Sequence, residues 1–287
     1  MTPDLHEDRT RPVSPGLVAR FIDSAESPWL PAFFAAYDAA FILESEKEDL
    51  EGFRACLRLN RGKACEALSA RYGPYREGVI ALFPDGADLP VGAASFIIFA
   101  GKDGPVTVSL SYIFVDKDHR RRGLFGTLLH LVREEARTLF ETGRDGPLIF
   151  IELNDPAEMS AADCARDSGH AGLDQMERLR IWERRGARLV NFPYCQPPLS
   201  DSQSSGPELL LGMLGARPDG LPACELLAHL ERFFATTVLK GRDPDTIPVA
   251  ARQLERLRTA CREERDIPLT GFDQVLAHAA SRRNTGT

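Results

Sequence analysis

Apolar residues recur along this chain with two distinct periods, and each period marks a kind of element. Leu17 to Ile22 reads as a short strand. From Pro28-Trp29 the spacing lengthens to three and four residues, with Leu30, Phe33, Phe34, Tyr37 and Phe41 forming one helical face. Leu50, Phe53 and Leu57 place a second helix over Glu46 to Leu59, and a third, shorter one covers Ala64 to Tyr72. The pattern then tightens to strands: Gly78 to Phe83, Val91 to Ala100 and Val106 to Val115, separated by turns at Asp85-Gly86 and Lys102-Asp103-Gly104-Pro105. Three strands joined by short turns predict an antiparallel meander.

A long amphipathic helix follows, Leu124 to Phe140, with Leu128, Leu129, Val132, Ala136 and Leu139 inward. Pro147 to Ile151 is a short buried strand ending at Glu152-Leu153-Asn154, and strand, crossover helix and strand predict a parallel pair. Asp155 to Leu173 is polar. Asp174 to Arg185 is a helix stopped by Gly186, and Leu189 to Leu199 and Leu209 to Leu214 read as strands joined by the polar Ser200 to Pro207. Beyond Gly215 the pattern is helical only, over Cys224 to Leu239 and Val249 to Glu264. These elements define an α/β class with a mixed sheet (α+β). The organisation expected is a mobile tail over 1–16, one domain over 17–215 and a helical extension over 216–287.

At 287 residues with 43% apolar content, the chain is long enough to bury a full core. A net charge of −7 argues against nucleic-acid partners and makes the consecutive Arg120, Arg121 and Arg122 a local device. No window reaches the roughly 18 apolar residues that span a bilayer, and Met1 to Pro15 is polar, so no membrane association and a cytoplasmic location are expected. The six cysteines (Cys56, Cys65, Cys164, Cys195, Cys224, Cys261) show no CxxC and no ligand-like spacing to histidine, so neither a metal site nor a disulfide framework is expected.

The chemistry concentrates in Val115 to Gly126, which reads as strand, basic glycine-containing turn and helix start. Backbone N–H groups at a helix start lack intrahelical partners and sit at the positive end of the dipole, so this turn is an anion cradle suited to a phosphate or pyrophosphate. Arg120-Arg121-Arg122-Gly123-Leu124-Phe125 is similar to the acyl-CoA loop of the GNAT (Gcn5-related) N-acetyltransferase superfamily, with Phe125 at the usual Gly or Ala and Gly126 one position later. Ile149 to Asn154 resembles that family's fifth strand, and Ile181-Trp182-Glu183-Arg184-Arg185-Gly186-Ala187 its Tyr-Glu-x-x-Gly-Phe helix end, with Trp182 at the tyrosine and Ala187 at the aromatic. The element order over 17–215 agrees, with an apparent insertion between Asn154 and Trp182.

The resemblance implies the GNAT acyl-CoA N-acyltransferase fold with extra C-terminal helices, acetyl-CoA as co-substrate and a small-molecule amine acceptor, acetylated by direct attack. It is compatible with a homodimer. It implies that Arg120 to Gly126 (Arg120, Arg121, Arg122, Gly123, Leu124, Phe125, Gly126) hold the diphosphate, that backbone N–H groups near a bulge at Tyr112 to Val115, counting Ile113, Phe114 and Val115, face the acyl-pantetheine, and that Asn154 contacts it. Such a transfer needs a base for the amine and an acid for the thiolate. Glu152 is the base candidate, a carboxylate in an apolar strand whose pKa desolvation would raise, with Glu44, Glu46 and Glu48 as rivals. With Trp182 unable to give a proton, Tyr194, Tyr112 or a water is the acid. Tyr194 lies in a proline-rich strand that must break or run at an edge, exposing Tyr194, Cys195 and Gln196 to a pocket. Asp163, Asp167 and His170 could form a substrate or metal cluster, and the segment around them a lid. A different acyl or carrier-protein donor, a catalytically silent acyl-CoA-binding module and a scaffold built on the C-terminal helices are the alternative functions.

Overall fold

The computed structural model describes residues 9–43, 47–101, 104–199, 209–215 and 220–285, which form two compact units. One comprises Met1–Ile42 with Glu46–Pro147, the other Leu43–Ser45 with Leu148–Thr287. Among the described residues, every strand pairing within each unit is antiparallel.

The first unit holds β1 (Arg9–Ser14), β2 (Leu17–Ile22), α1 (Leu30–Ala40), α2 (Leu50–Arg58), α3 (Gly62–Tyr72), β3 (Tyr75–Pro84), β4 (Gly92–Phe99), β5 (Thr107–Val115) and α4 (Leu124–Leu139). Its strands lie in sequence order, β1 to β5. Part of the expected tail is therefore a strand: Arg9–Ser14 pairs with β2 across a turn in which Gly16 takes φ 78°. Arg9 explains why so polar a segment is held, because its guanidinium sits 4.7 Å from the Phe21 ring and pairs with the buried Glu135. Residues 1–8 lie outside the described residues.

Strand alternation sorts the core into two faces. Val79, Ala81 and Phe83 of β3 meet Leu30, Phe33 and Tyr37 of α1 and Phe53 and Leu57 of α2, while α4 packs across β3, β4 and β5. Phe53 stands edge-on to Phe33 at 5.2 Å and to Tyr37 at 5.0 Å, an arrangement that favours aromatic quadrupoles. Helix α2 starts at Leu50, not Glu46, because Asp49 caps it by accepting from the Gly52 N–H at 2.7 Å.

The second unit holds β6 (Leu148–Asn154), α5 (Ala161–Ala171), α6 (Gln175–Arg184), β7 (Arg188–Val190), β8 (Leu209–Leu214), β9 (Leu221–Pro222), α7 (Ala223–Phe233), α8 (Pro248–Arg262), β10 (Asp266–Ile267), β11 (Leu269–Thr270) and α9 (Asp273–Thr285). Strands run in the order β6, β8, β7, β11. Four expectations are corrected here. The polar stretch after Asn154 contains a helix, α5, capped by Ser160. The strand expected over Leu189 to Leu199 ends at Val190, because Pro193, Pro197 and Pro198 cannot donate to a ladder. Residues beyond 215 are not helical only: β11 extends the sheet beside β7, and they pack in the same unit as β6. Finally, Cys224 and Cys261 form a disulfide between the start of α7 and the end of α8, with Cα atoms 4.7 Å apart. A separation of 37 residues carries no periodic signal that sequence reading could use. Arg258 adds a second tie, from α8 to Glu231 of α7 and to both carboxylate oxygens of Asp245.

Candidate functional site

The basic turn of the first unit is built from its strand outward. At the end of β5 the backbone N–H of Asp116 donates to Val91 at 2.9 Å, and the Asp116 carboxylate accepts from the Asp118 N–H and meets His119 Nδ1 at 2.8 Å. That contact with His119 is the main reason the Asp116 carboxyl lies below its usual range. Arg120 is half-buried and its Nε donates to the Val115 carbonyl at 3.2 Å, while Arg121 and Arg122 are exposed. Two residues then turn left-handed, Arg121 at φ 63° and Gly123 at φ 79°.

Gly123 is the N-cap of α4, supplies no side-chain cap, and is followed by a first turn without acidic residues. The start of α4 thus carries the positive end of the helix dipole with no side-chain cap and no acidic residue to offset it, beside three arginines. Leu124, Phe125 and Gly126 are half-buried in that turn. A Cβ on Gly123 would meet nothing within 4 Å, so backbone conformation, not space, demands glycine there.

Strand β5 changes character just before the turn. Ser95 pairs with Tyr112 but Phe96 with Leu110, so Ser111 is the extra residue of a β-bulge, one position before the segment where the bulge was expected. Up to Leu110 the strand is buried; from Ser111 to Val115, which includes Ile113 and Phe114, it is half-exposed. Gly92 faces the last part of this run, and a Cβ there would lie 2.9 Å from the Phe114 carbonyl. Tyr112 packs on Tyr37 at 4.8 Å and Phe41 at 5.4 Å, and Tyr37 accepts from the Glu48 N–H. Glu44 and Glu46 lie outside the described residues.

In the second unit, Phe150, Glu152 and Asn154 alternate onto one face of β6. Tyr194, 1% exposed, donates its hydroxyl to Glu152 Oε1. Two candidates chosen separately in the sequence are therefore one pair. Tyr194 is not exposed to a pocket as expected: its ring is buried and stacks on Phe234 at 6.2 Å, whereas Cys195 and Gln196 are half-buried. Desolvation raises the Glu152 carboxyl to about 7, and the Tyr194 hydrogen bond pulls it partly back. Burial pushes the Tyr194 phenol well above its usual range, with the Glu152 charge adding to it, so the phenol keeps its proton. His229 stacks on Phe150 at 3.9 Å and burial lowers it to about 3, which leaves it neutral.

The remaining candidates have local duties. Asp167 is buried and accepts from Gln175 at 2.6 Å and Arg178 at 2.8 Å, tying α5 to α6. Asp163 pairs with Arg166 beside the α5 cap. Trp182 is buried, and Ala187 donates back to its carbonyl across Gly186 at φ 81°.

Sequence reading missed Gln253 of α8. Its Oε1 accepts from the Cys195 N–H at 2.9 Å, and its Nε2 donates to the Cys195 carbonyl at 2.7 Å and the Val249 carbonyl at 3.0 Å. Lys240 likewise holds the Leu199 carbonyl at 2.9 Å. One buried glutamine in a helix gives no sequence signal of such a task.

The first unit thus carries a basic turn at a helix start, and the second unit a carboxyl hydrogen-bonded to a buried phenol. No family model matches the sequence, and no curated protein matches it. Among solved structures, the chain is similar to a Bacteroides thetaiotaomicron protein assigned as a GNAT-family acetyltransferase, with 17% identity and a TM-score of 0.46 over 78% of this chain and 99% of that one. It is similar to Arabidopsis thaliana NAA60 in complex with acetyl-CoA, at 14% identity and a TM-score of 0.38, over 69% and 98% of the two chains. It is also similar to an aminoglycoside acetyltransferase from an uncultured soil metagenomic sample in complex with sisomicin, at 14% identity and a TM-score of 0.36, over 55% and 90%.

Proposed function

We propose that the chain is a GNAT-type N-acetyltransferase that moves an acetyl group from acetyl-CoA to the amine of a small-molecule acceptor by direct attack within a ternary complex. The observation that carries this reading is the left-handed turn at Arg121 and Gly123, which feeds an uncapped, acid-free helix start from the end of a strand and lines it with arginine. That donor set suits a diphosphate: backbone N–H groups for its oxygens and guanidinium groups for its charge. Bound acetyl-CoA would supply the activated thioester.

Transfer of acetyl from sulfur to nitrogen also moves one proton from the amine to the departing thiolate. Glu152 is the base, since a carboxyl raised to about 7 both accepts a proton near neutrality and returns it. Tyr194 keeps the carboxylate oriented through its hydroxyl, and the pair holds the travelling proton between attack and departure. The half-exposed run Ile113 to Val115 supplies backbone N–H groups for the carbonyl oxygen, and Asn154, on the Glu152 face of β6, supports the pantetheine arm.

The test is thiol release from acetyl-CoA with a panel of amino acids, polyamines, aminoglycosides and simple aromatic and aliphatic amines, beside calorimetric titration with CoA. Turnover above the hydrolysis background supports the transferase and identifies its acceptor class. Tight CoA binding with no turnover favours the silent acyl-CoA-binding module, a reading to which Trp182 and Phe125 at the family's Tyr and Gly/Ala positions lend weight. No CoA binding overturns both.

A further inference from the structure

The pair Glu152–Tyr194 draws its tyrosine from a stretch of chain outside any strand. Residues 193 to 198 include three prolines, β7 ends at Val190, and the Tyr194–Cys195 peptide therefore has no strand ladder to set its orientation. Gln253 takes over that task. Its amide offers the Cys195 backbone one acceptor and one donor, the same two bonds that a neighbouring strand would give, and its second N–H is anchored on Val249 one helical turn earlier. The amide cannot be reversed without turning both donors onto the Cys195 N–H. Gln253 is only 5% exposed, so its three bonds are made largely out of contact with solvent.

We infer that Gln253 is a positioning residue for the proposed acid–base pair: its amide fixes the peptides on both sides of Cys195 and so aims the Tyr194 hydroxyl at Glu152. The inference deepens the proposed function and rests on it for its meaning, but its geometry can be read without any substrate. The titratable groups facing the pair are few. Tyr194 is the one that acts on the Glu152 carboxyl, Cys195 acts in turn on Tyr194, and His229, stacked two positions away on Phe150, is held neutral.

The experiment follows the protonated carboxyl band of Glu152 by difference infrared spectroscopy of the full chain, the band being assigned by its loss in E152Q. In the parent protein the midpoint is expected near 7. Y194F moves the midpoint upward by roughly one pH unit, since one hydrogen bond to a charged acceptor is lost. Q253M, which keeps length and apolar bulk but none of the three bonds, is expected to give a similar upward shift, and Q253M combined with Y194F no more than Y194F alone. Q253L repeats the measurement should Q253M not fold.

A Q253M protein that is merely less thermostable, with the Glu152 midpoint unchanged, overturns the inference and leaves Gln253 a packing residue. So does a double variant whose shift is the sum of the two. Should no amine be acetylated, the proposed reaction fails while the infrared midpoints still decide the role of Gln253. Where an acceptor is found, Q253M should move the pH limb of kcat/KM as it moves the band.

Discussion

Glu152 is a carboxyl whose environment does most of the work. Desolvation lifts it to about 7 and the phenol of Tyr194 restrains that rise, so the two substitutions have opposite signatures. E152Q is expected to lower kcat by about 10²- to 10⁴-fold, the usual worth of a general base, and to abolish the limb of kcat/KM that rises near pH 7, with CoA affinity by calorimetry unchanged. Y194F should leave that limb in place but shift it to higher pH. Gly123 stands for a different kind of constraint. Its φ of 79° is open to a Cβ sterically but not conformationally, and Arg121 already spends strain in the same turn. Gly123→Ala is therefore expected to cost about 1 kcal/mol in urea unfolding and to weaken CoA binding, whereas a loss of stability without any change in CoA affinity would remove the turn from the donor site.

At the scale of elements, what the sequence made legible follows from how far each signal reaches. The meander β3 to β5 and helix α4 were readable because apolar runs bounded by turn residues, and a three-to-four spacing, persist over eight or more residues. β1 was hidden by Arg9, Arg11 and Pro12, and α5 by its polar surface; each is held by capping or long-range pairing that leaves no periodic trace. Glu152 and Tyr194 were legible singly, from a charge in an apolar strand and a tyrosine among prolines. Their meeting was not, because it joins positions 42 residues apart through a segment with no regular structure. The same holds for Gln253 and for Cys224–Cys261. That disulfide couples α7, whose continuation carries Phe234 against Tyr194, to α8, which carries Gln253. Replacing both cysteines by serine should lower stability by about 2–4 kcal/mol, as expected for opening a loop of this length, measured as a fall in the urea midpoint under non-reducing conditions. An unchanged midpoint would show that the two helices need no covalent tie.

For the molecule as a whole, two buried ionisable groups set opposite slopes on stability. Glu152 has a folded pKa of about 7 against 4.5 unfolded, so the native state holds the extra proton between those values. Its contribution is present below pH 4.5 and is lost as pH rises through 7, on the order of 3 kcal/mol. His229 runs the other way, at about 3 folded against 6.5 unfolded, and its contribution is present above pH 6.5 and lost as pH falls towards 3. Chemical denaturation across pH should flatten on the rising-pH side in E152Q and on the acid side in H229F; identical slopes in parent and variants would refute both assignments. The first unit carries a further consequence at its outer rim. β1 lies at one end of the strand order, and Pro12 offers no N–H there, Val13 falls out of register, and Arg9 and Arg11 carry charge. A strand arriving at that rim would meet a missing donor, a kink and the charge of Arg11, so β1 is a chain terminator for sheet growth, guarding against aggregation through that rim.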